Sequence, residues 1–202
     1  MQFIVRPFQP ADSIWTGCGG ASLFATSSGP LAAFSDFMRF LLIDRIVDYQ
    51  PGVRITAVKS LTMAEEYLAD HFPNFPVMPG VLMLEAMTQA SAWLIRLSED
   101  FAHSVIVLKQ AGNVKYGQFV EPGQLLTVTA EIISQTATET KVKAQGTVDG
   151  RTTVSGRLVL ERYNLADRHP LDATADEAIL EEMRDLLSVL YQPGPPVVPL
   201  TL

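Results

Sequence analysis

Strict alternation of apolar and polar positions dominates the second half of the chain. Leu126, Val128, Ala130 and Ile132 fall on one face of a first segment, Val142, Ala144, Gly146 and Val148 on one face of a second, and Val154, Gly156, Leu158 and Leu160 on one face of a third. This is the two-residue period of half-buried strands. Asp149-Gly150 separates the last two segments, and both residues tolerate the positive backbone angles of a type I′ turn, so the spacing predicts a hairpin. Upstream, 40–49 and 53–61 read as strands joined at Pro51-Gly52, with Val53, Ile55 and Ala57 sharing a face before Val58 and Lys59 reverse the pattern. A further strand spans 104–110, with 113–117 as its bent continuation. Residues 34–40 and 64–70 read as short helical turns, the second delivering His71, and 98–103 as a polar loop.

One stretch breaks the alternation. Residues 81–95 are apolar on nearly every side, with no Gly or Pro, which is the pattern of a helix buried all round. An antiparallel sheet with one apolar face, curled about one long apolar helix, makes an α+β fold. In the tail, Thr174 and Glu177 have capping-box spacing, and Ile179, Leu180, Met183, Leu187 and Leu190 follow at helical spacing. An amphipathic helix over 176–191 is expected, its stripe packing on the sheet or at a subunit interface, with a lid or docking role as the lesser reading. The Pro-rich residues 192–202 should be extended.

Composition narrows the function. The chain has 202 residues, 48% hydrophobic and 18% charged, which suits one globular domain. A net charge of -7 argues against nucleic acid as a partner. Cys18 is alone, so no intrachain disulfide framework is possible, and a reducing compartment is expected. His71, His103 and His169 lie far apart without Cys pairs, so no metal or cofactor is expected, and His103 and His169 read as ordinary surface residues. No signal-peptide layout occurs, and no apolar run is clean enough to span a bilayer once Glu85 and Arg96 are counted; a soluble, cytoplasmic protein without membrane insertion is expected. Residues 17–30, rich in Gly, Ser, Ala and Thr, read as a loose arm or one lying over a neighbouring subunit.

The candidate chemistry lies in 71–89. Pro73, Pro76 and Pro79 recur every third residue and bias Phe72, Phe75 and Met78 toward extended conformations, making a stiff lead-in to the helix. Glu85 is a carboxylate in an apolar helix, where burial favours its protonated, donating form. Gln89 lies four residues on, on the same face, placed to orient that acid. His71 offers a base suited to neutral pH. The helix start at Gly80 supplies backbone N–H donors and a positive dipole end for a developing oxyanion. Base, acid and oxyanion donor together suit elimination of water beside a carbonyl. Each residue alone is more often structural; their combination around one loop and one dry helix is what raises the chemistry.

The run His-Phe-Pro-x-x-Pro-Val-Met-Pro-Gly-Val, followed by Glu-Ala-Met-x-Gln, resembles the active-site signature of the beta-hydroxyacyl-acyl carrier protein dehydratases of fatty acid synthesis. The segment from Phe40 to Ile46 and the segment from Val120 to Gln124 extend the resemblance to about 37–162, leaving 1–36 and 163–202 as N- and C-terminal extensions. It implies the hotdog fold, catalysis by His71 and Glu85, thioester binding by the Gly80 N–H, and an active site shared across a homodimer or a higher oligomer of dimers. Spacing alone leaves open whether His71 and Glu85 meet within one chain. Glu85 matches the branch without isomerisation, whereas Asn74 and Phe75 depart from the usual Gly and His or Asp. Phe75, Val81, Met83, Met87 and Trp93 are candidate substrate-lining residues. The implied partner is acyl carrier protein, with Arg39, Arg45, Arg96, Lys109 and Lys115 as candidate cations for docking it. A hotdog thioesterase and a non-catalytic carrier-binding subunit are the alternatives.

Overall fold

The computed structural model describes residues 41–72 and 74–192. Six strands, β1 (Arg45–Gln50), β2 (Arg54–Ser60), β3 (Val105–Tyr116), β4 (Leu125–Gln135), β5 (Glu139–Val148) and β6 (Arg151–Tyr163), form one antiparallel sheet in the order β1-β2-β4-β5-β6-β3. The helices are α1 (Tyr67–Asp70), α2 (Gly80–Ser98) and α3 (Ala173–Leu190). The expected α+β architecture is the one observed. The helical turn expected at 34–40, the arm at 17–30, Cys18, Arg39 and the Pro-rich end from 193 onward lie outside the described residues.

The inward face of the sheet is the one the alternation marks. Leu126, Val128, Ala130, Val142, Ala144, Val148, Val154, Leu158 and Leu160 are all buried, against α2. Asp149 and Gly150 have φ of 49° and 75°, the left-handed pair that the β5–β6 hairpin requires. The bend expected in β3 arises from two register shifts, between Leu108 and Gln110 and between Gly112 and Lys115. Along α2, Val81 is the one exposed position before the C-terminus; the next most open positions include Leu82, Glu85, Gln89 and Ala92, a half-buried stripe on one face.

Several expectations are corrected. β1 begins at Arg45, because 41–44 run in as an irregular segment whose Asp44 N–H donates to Val58 C=O (2.8 Å) while Leu42 and Ile43 fill the core. Val53 does not share the face of Ile55 and Ala57: it lies in the turn and is 54% exposed. Lys59 does not reverse the alternation but continues it, buried at an inward position where two carboxylates meet its ammonium. The capping box at Thr174 does not form, because the helical turn Pro170–Asp172 runs directly into α3 and places Thr174 inside it, with Asp172 at the N-cap making no side-chain bond.

Helix α3 packs against β1 with Met183, Leu186 and Leu190 buried, so Leu186 takes the inward place expected of Leu187, which with Ile179 and Leu180 is only half-buried. Its first turn is fastened by Asp176, whose carboxylate accepts bonds from Ser104 Oγ, Leu165 N–H (2.8 Å) and Ala166 N–H (2.9 Å). Burial pushes the Asp176 carboxyl up, but these donors outweigh it and hold it below the usual carboxylate range. Arg184 lies over the Phe101 ring, 5.1 Å from its centre. A carboxylate with a depressed native pKa stabilises the fold above its unfolded pKa and loses that contribution as pH falls through the native one. Asp176→Ala is therefore expected to cost about 1–3 kcal/mol at neutral pH, read as a lowered urea midpoint. Its deficit against the parent protein should shrink as the pH drops through the carboxylate range.

Candidate active site

The single turn α1 ends by handing the chain to His71, whose N–H donates to Tyr67 C=O (3.1 Å) while its own backbone is already extended. Phe72 then departs from the extended conformation that a following proline favours: its φ is 51°. This left-handed turn lets Phe75 N–H reach Phe72 C=O (2.8 Å) and lays the Phe72 ring against the imidazole, centroids 4.3 Å apart. A bulky residue in that region stores on the order of 1–3 kcal/mol of strain. The local contacts that hold it there also orient His71.

From Pro76 the chain is a strap pinned by Met78 N–H to Val120 C=O (2.9 Å), with Val77 and Met78 buried. It ends at Pro79, the N-cap of α2, which offers no side-chain cap. Pro79 C=O takes up the N–H groups of Leu82 (2.9 Å) and Met83 (3.2 Å). The N–H groups of Gly80 and Val81 have no intrahelical acceptor, as at any helix start. A cavity of about 210 Å³ opens here, lined by His71, Val77, Met78, Gly80 and Met83 from one side and by Tyr116, Gly117, Gln118 and Phe119 from the other. Imidazole and open helix end thus share one largely apolar chamber. Glycine at 80 lets the Tyr116 ring close on the helix start: a Cβ there would stand 3.0 Å from the ring and push it back.

His71 also lines a second cavity, of about 460 Å³, with Val81, Leu82, Pro79, the α1 residues Tyr67 and Asp70, and Glu66 at the N-cap of α1. Of the candidate substrate-lining residues, Met83 lines the first cavity and Val81 the second. Phe75 is half exposed and packs edge-on against Phe119, 5.3 Å between centres. Met87 and Trp93 are buried further along α2 and line neither.

Glu85 is positioned by a different set of contacts. Gln89 Nε2 donates to Glu85 Oε1 (3.1 Å), and Gln89 Oε1 accepts the Leu42 N–H (2.9 Å), so the amide is fixed at both ends. Burial raises the Glu85 pKa above the usual carboxylate range, and the Gln89 bond offsets this only in part. Glu85 lines neither of the cavities beside His71. Two residues of helix rotate the side chain by roughly 200°, so Glu85 leaves α2 on nearly the opposite side from Met83.

Tyr116, Gln118 and Phe119 escaped the sequence reading. Alternation assigns Tyr116 to a strand end, but only the closure of β3 against the start of α2 reveals what it faces. Among the candidate docking cations, Arg96 is corrected: it is buried, donates Nη2–H to Ser104 C=O (2.8 Å), and burial lowers its pKa to about 10. Lys109 is committed to Glu139 (2.5 Å), while Arg45 and Lys115 are exposed. His103 is not a free surface residue but is bonded to Glu99 (3.0 Å).

The FabA-like domain model matches residues 35–161. A 3-hydroxyacyl-[acyl-carrier-protein] dehydratase FabZ from Caldicellulosiruptor bescii is 38% identical over 120 residues, which is 59% of this chain and 86% of the relative. The FabZ dehydratase of Ruminiclostridium cellulolyticum is 35% identical over 119 residues, 59% of this chain and 84% of the relative. Among solved structures, the dehydratase heterocomplex ApeI:P from Xenorhabdus doucetiae superposes with a TM-score of 0.54 at 17% identity, covering 66% of this chain and 90% of the other, a likeness of fold. The matched region holds the whole 71–89 stretch and all six strands but for the end of β6. The fold is the hotdog fold, and the chain belongs to the FabA-like family, among the 3-hydroxyacyl-acyl carrier protein dehydratases.

Proposed function

We propose that the protein dehydrates a (3R)-3-hydroxyacyl thioester, carried on acyl carrier protein, to the trans-2-enoyl thioester in fatty acid or related lipid synthesis. The observation that carries the reading is the shared chamber of His71 and the Gly80 helix end. With the thioester carbonyl at the Gly80 N–H, negative charge gathering on oxygen during proton removal is met by a fixed donor and the positive end of α2. His71 takes the proton from the carbon next to the carbonyl. Glu85, whose hold on its proton is strengthened by burial, gives that proton to the 3-hydroxyl, the carbon–oxygen bond breaks, and water leaves as the double bond forms. Gln89 orients the acid.

Because Glu85 points nearly opposite to the chamber residue Met83 and lines neither cavity beside His71, we assign each site to two chains, His71 from one protomer and Glu85 from its partner in a homodimer. The half-buried stripe of Leu82, Glu85, Gln89 and Ala92 supports a second copy as its cover. A thioesterase is not favoured, since it needs a carboxylate to activate water rather than an imidazole beside the oxyanion donor. A purely scaffolding role leaves the strained His71 turn without a use. We place the activity in the cytoplasm; no helix among the described residues is long and apolar enough to cross a membrane.

Glu85→Gln should lower turnover by at least about 10²-fold, followed as enoyl absorbance from a hydroxyacyl carrier substrate. Full activity in the folded variant would remove the acid from this account. Mixing His71→Ala with Glu85→Gln chains should restore roughly a quarter of the parent rate, since half the random dimers are mixed and each carries one intact site. A carboxyl whose native pKa is raised binds its proton more tightly when folded, so the fold loses stability as pH rises from the unfolded pKa through the native one. Urea midpoints of the parent protein should accordingly fall relative to Glu85→Gln as pH rises across that window.

A further inference from the structure

Lys59 is the anomaly that the catalytic assignments do not use: a cation 8% exposed, at an inward position of β2 that continues the face of Ile55 and Ala57. Its Nζ lies 3.0 Å from Asp44 Oδ1 and 3.0 Å from Glu65 Oε1. The two carboxylates belong to different parts of the fold. Asp44 is built into the sheet, its Oδ2 accepting the Ser60 N–H (2.6 Å) and its own N–H donating to Val58 C=O (2.8 Å). Glu65 opens the turn that becomes α1: its C=O accepts the Leu68 N–H (3.1 Å), and Tyr67, two residues on, receives the His71 N–H (3.1 Å). The ammonium therefore links a rigid sheet to a single helical turn too short to hold its own geometry.

We propose that the Asp44–Lys59–Glu65 bridge is a positioning device for the reaction, fixing the α1 turn so that His71 meets the substrate in the chamber beside Gly80. The inference rests on the base role given to His71 above. An ion pair whose cation is buried while its carboxylates reach solvent contributes little net stability over an apolar replacement of the same size, so its physical value here lies in placing Glu65. Hydrophobic side chains at these positions would fill the space without directing the turn. The same irregular segment also orients the acid, because Leu42, two residues before Asp44, donates its N–H to Gln89. Base and acid of one chain thus share a mechanical reference in 42–44.

Glu65→Gln keeps the Lys59–Asp44 contact while weakening the link to α1; Lys59→Met removes the cation and keeps its stem. Both should lower kcat by about 10–100-fold with KM within twofold and the unfolding midpoint of Glu65→Gln unchanged. In Glu65→Gln the ring signals of His71, assigned by loss in His71→Ala, should shift or broaden. If Lys59→Met fails to fold, Glu65→Gln decides alone. An unaltered kcat, or a loss of activity with His71 ring signals unmoved, would overturn the proposal. Should the parent protein show no dehydration at all, the His71 signals still decide the positioning claim separately from the function.

Discussion

An ionisable carboxyl set on the flank of an apolar helix costs free energy unless it keeps its proton, and this constraint at Glu85 shapes the rest of the site. Burial supplies the driving force, raising the pKa, while Gln89 contributes direction. The amide can do so because its oxygen is held by the Leu42 N–H, leaving its nitrogen to face the acid. The oily helix that makes the core of the hotdog fold also raises the affinity of the carboxyl for its proton, as the acid role proposed for Glu85 requires. Packing and chemistry are therefore one requirement here: polar residues along α2 that admitted water would weaken the core and neutralise the advantage of the acid.

The other half of the chemistry comes from the way α2 begins. Helix starts leave N–H groups unpaired, and Pro79 offers no side chain to cap them. The strap that leads in is tied to Val120, and Tyr116 closes on Gly80 from β3. The imidazole reaches this point by a turn that strains Phe72. Backbone strain at Phe72, a missing Cβ at Gly80 and a buried ammonium at Lys59 would each be an odd choice for stability alone. Together they hold the His71 imidazole beside a bare helix end.

Much of this was legible in the sequence, and the failures have physical causes. Two-residue alternation marked the inward faces of β4, β5 and β6 because an antiparallel sheet with one covered face enforces it. Asp149-Gly150 named its own turn because few residue pairs tolerate that backbone. Lys59 looked like a break in pattern because hydropathy cannot see that two carboxylates will meet an inward cation. At Phe72 the local proline bias yields to a turn and a ring contact that the sequence does not announce. Arg96 was offered as surface, but its guanidinium finds the Ser104 carbonyl inside. Tyr116 and Phe119 had no local signal, since their role arises only when β3 folds against α2. His71 and Glu85 stand out by chemistry, yet that Glu85 leaves α2 on nearly the opposite side from the chamber residue Met83 is a fact of helix rotation and not legible from chemistry alone.

The protonation of Glu85 is the hinge of the proposed mechanism, and it can be read directly by a 13C NMR titration of the glutamate side-chain carboxyls in the intact protein, with the Glu85 resonance assigned by its absence in Glu85→Gln. A titration midpoint displaced upward from the ordinary glutamate range is expected, as burial of the side chain requires. A midpoint at or below the ordinary carboxylate range would mean that Glu85 is an anion at working pH, and the acid assigned here would be contradicted.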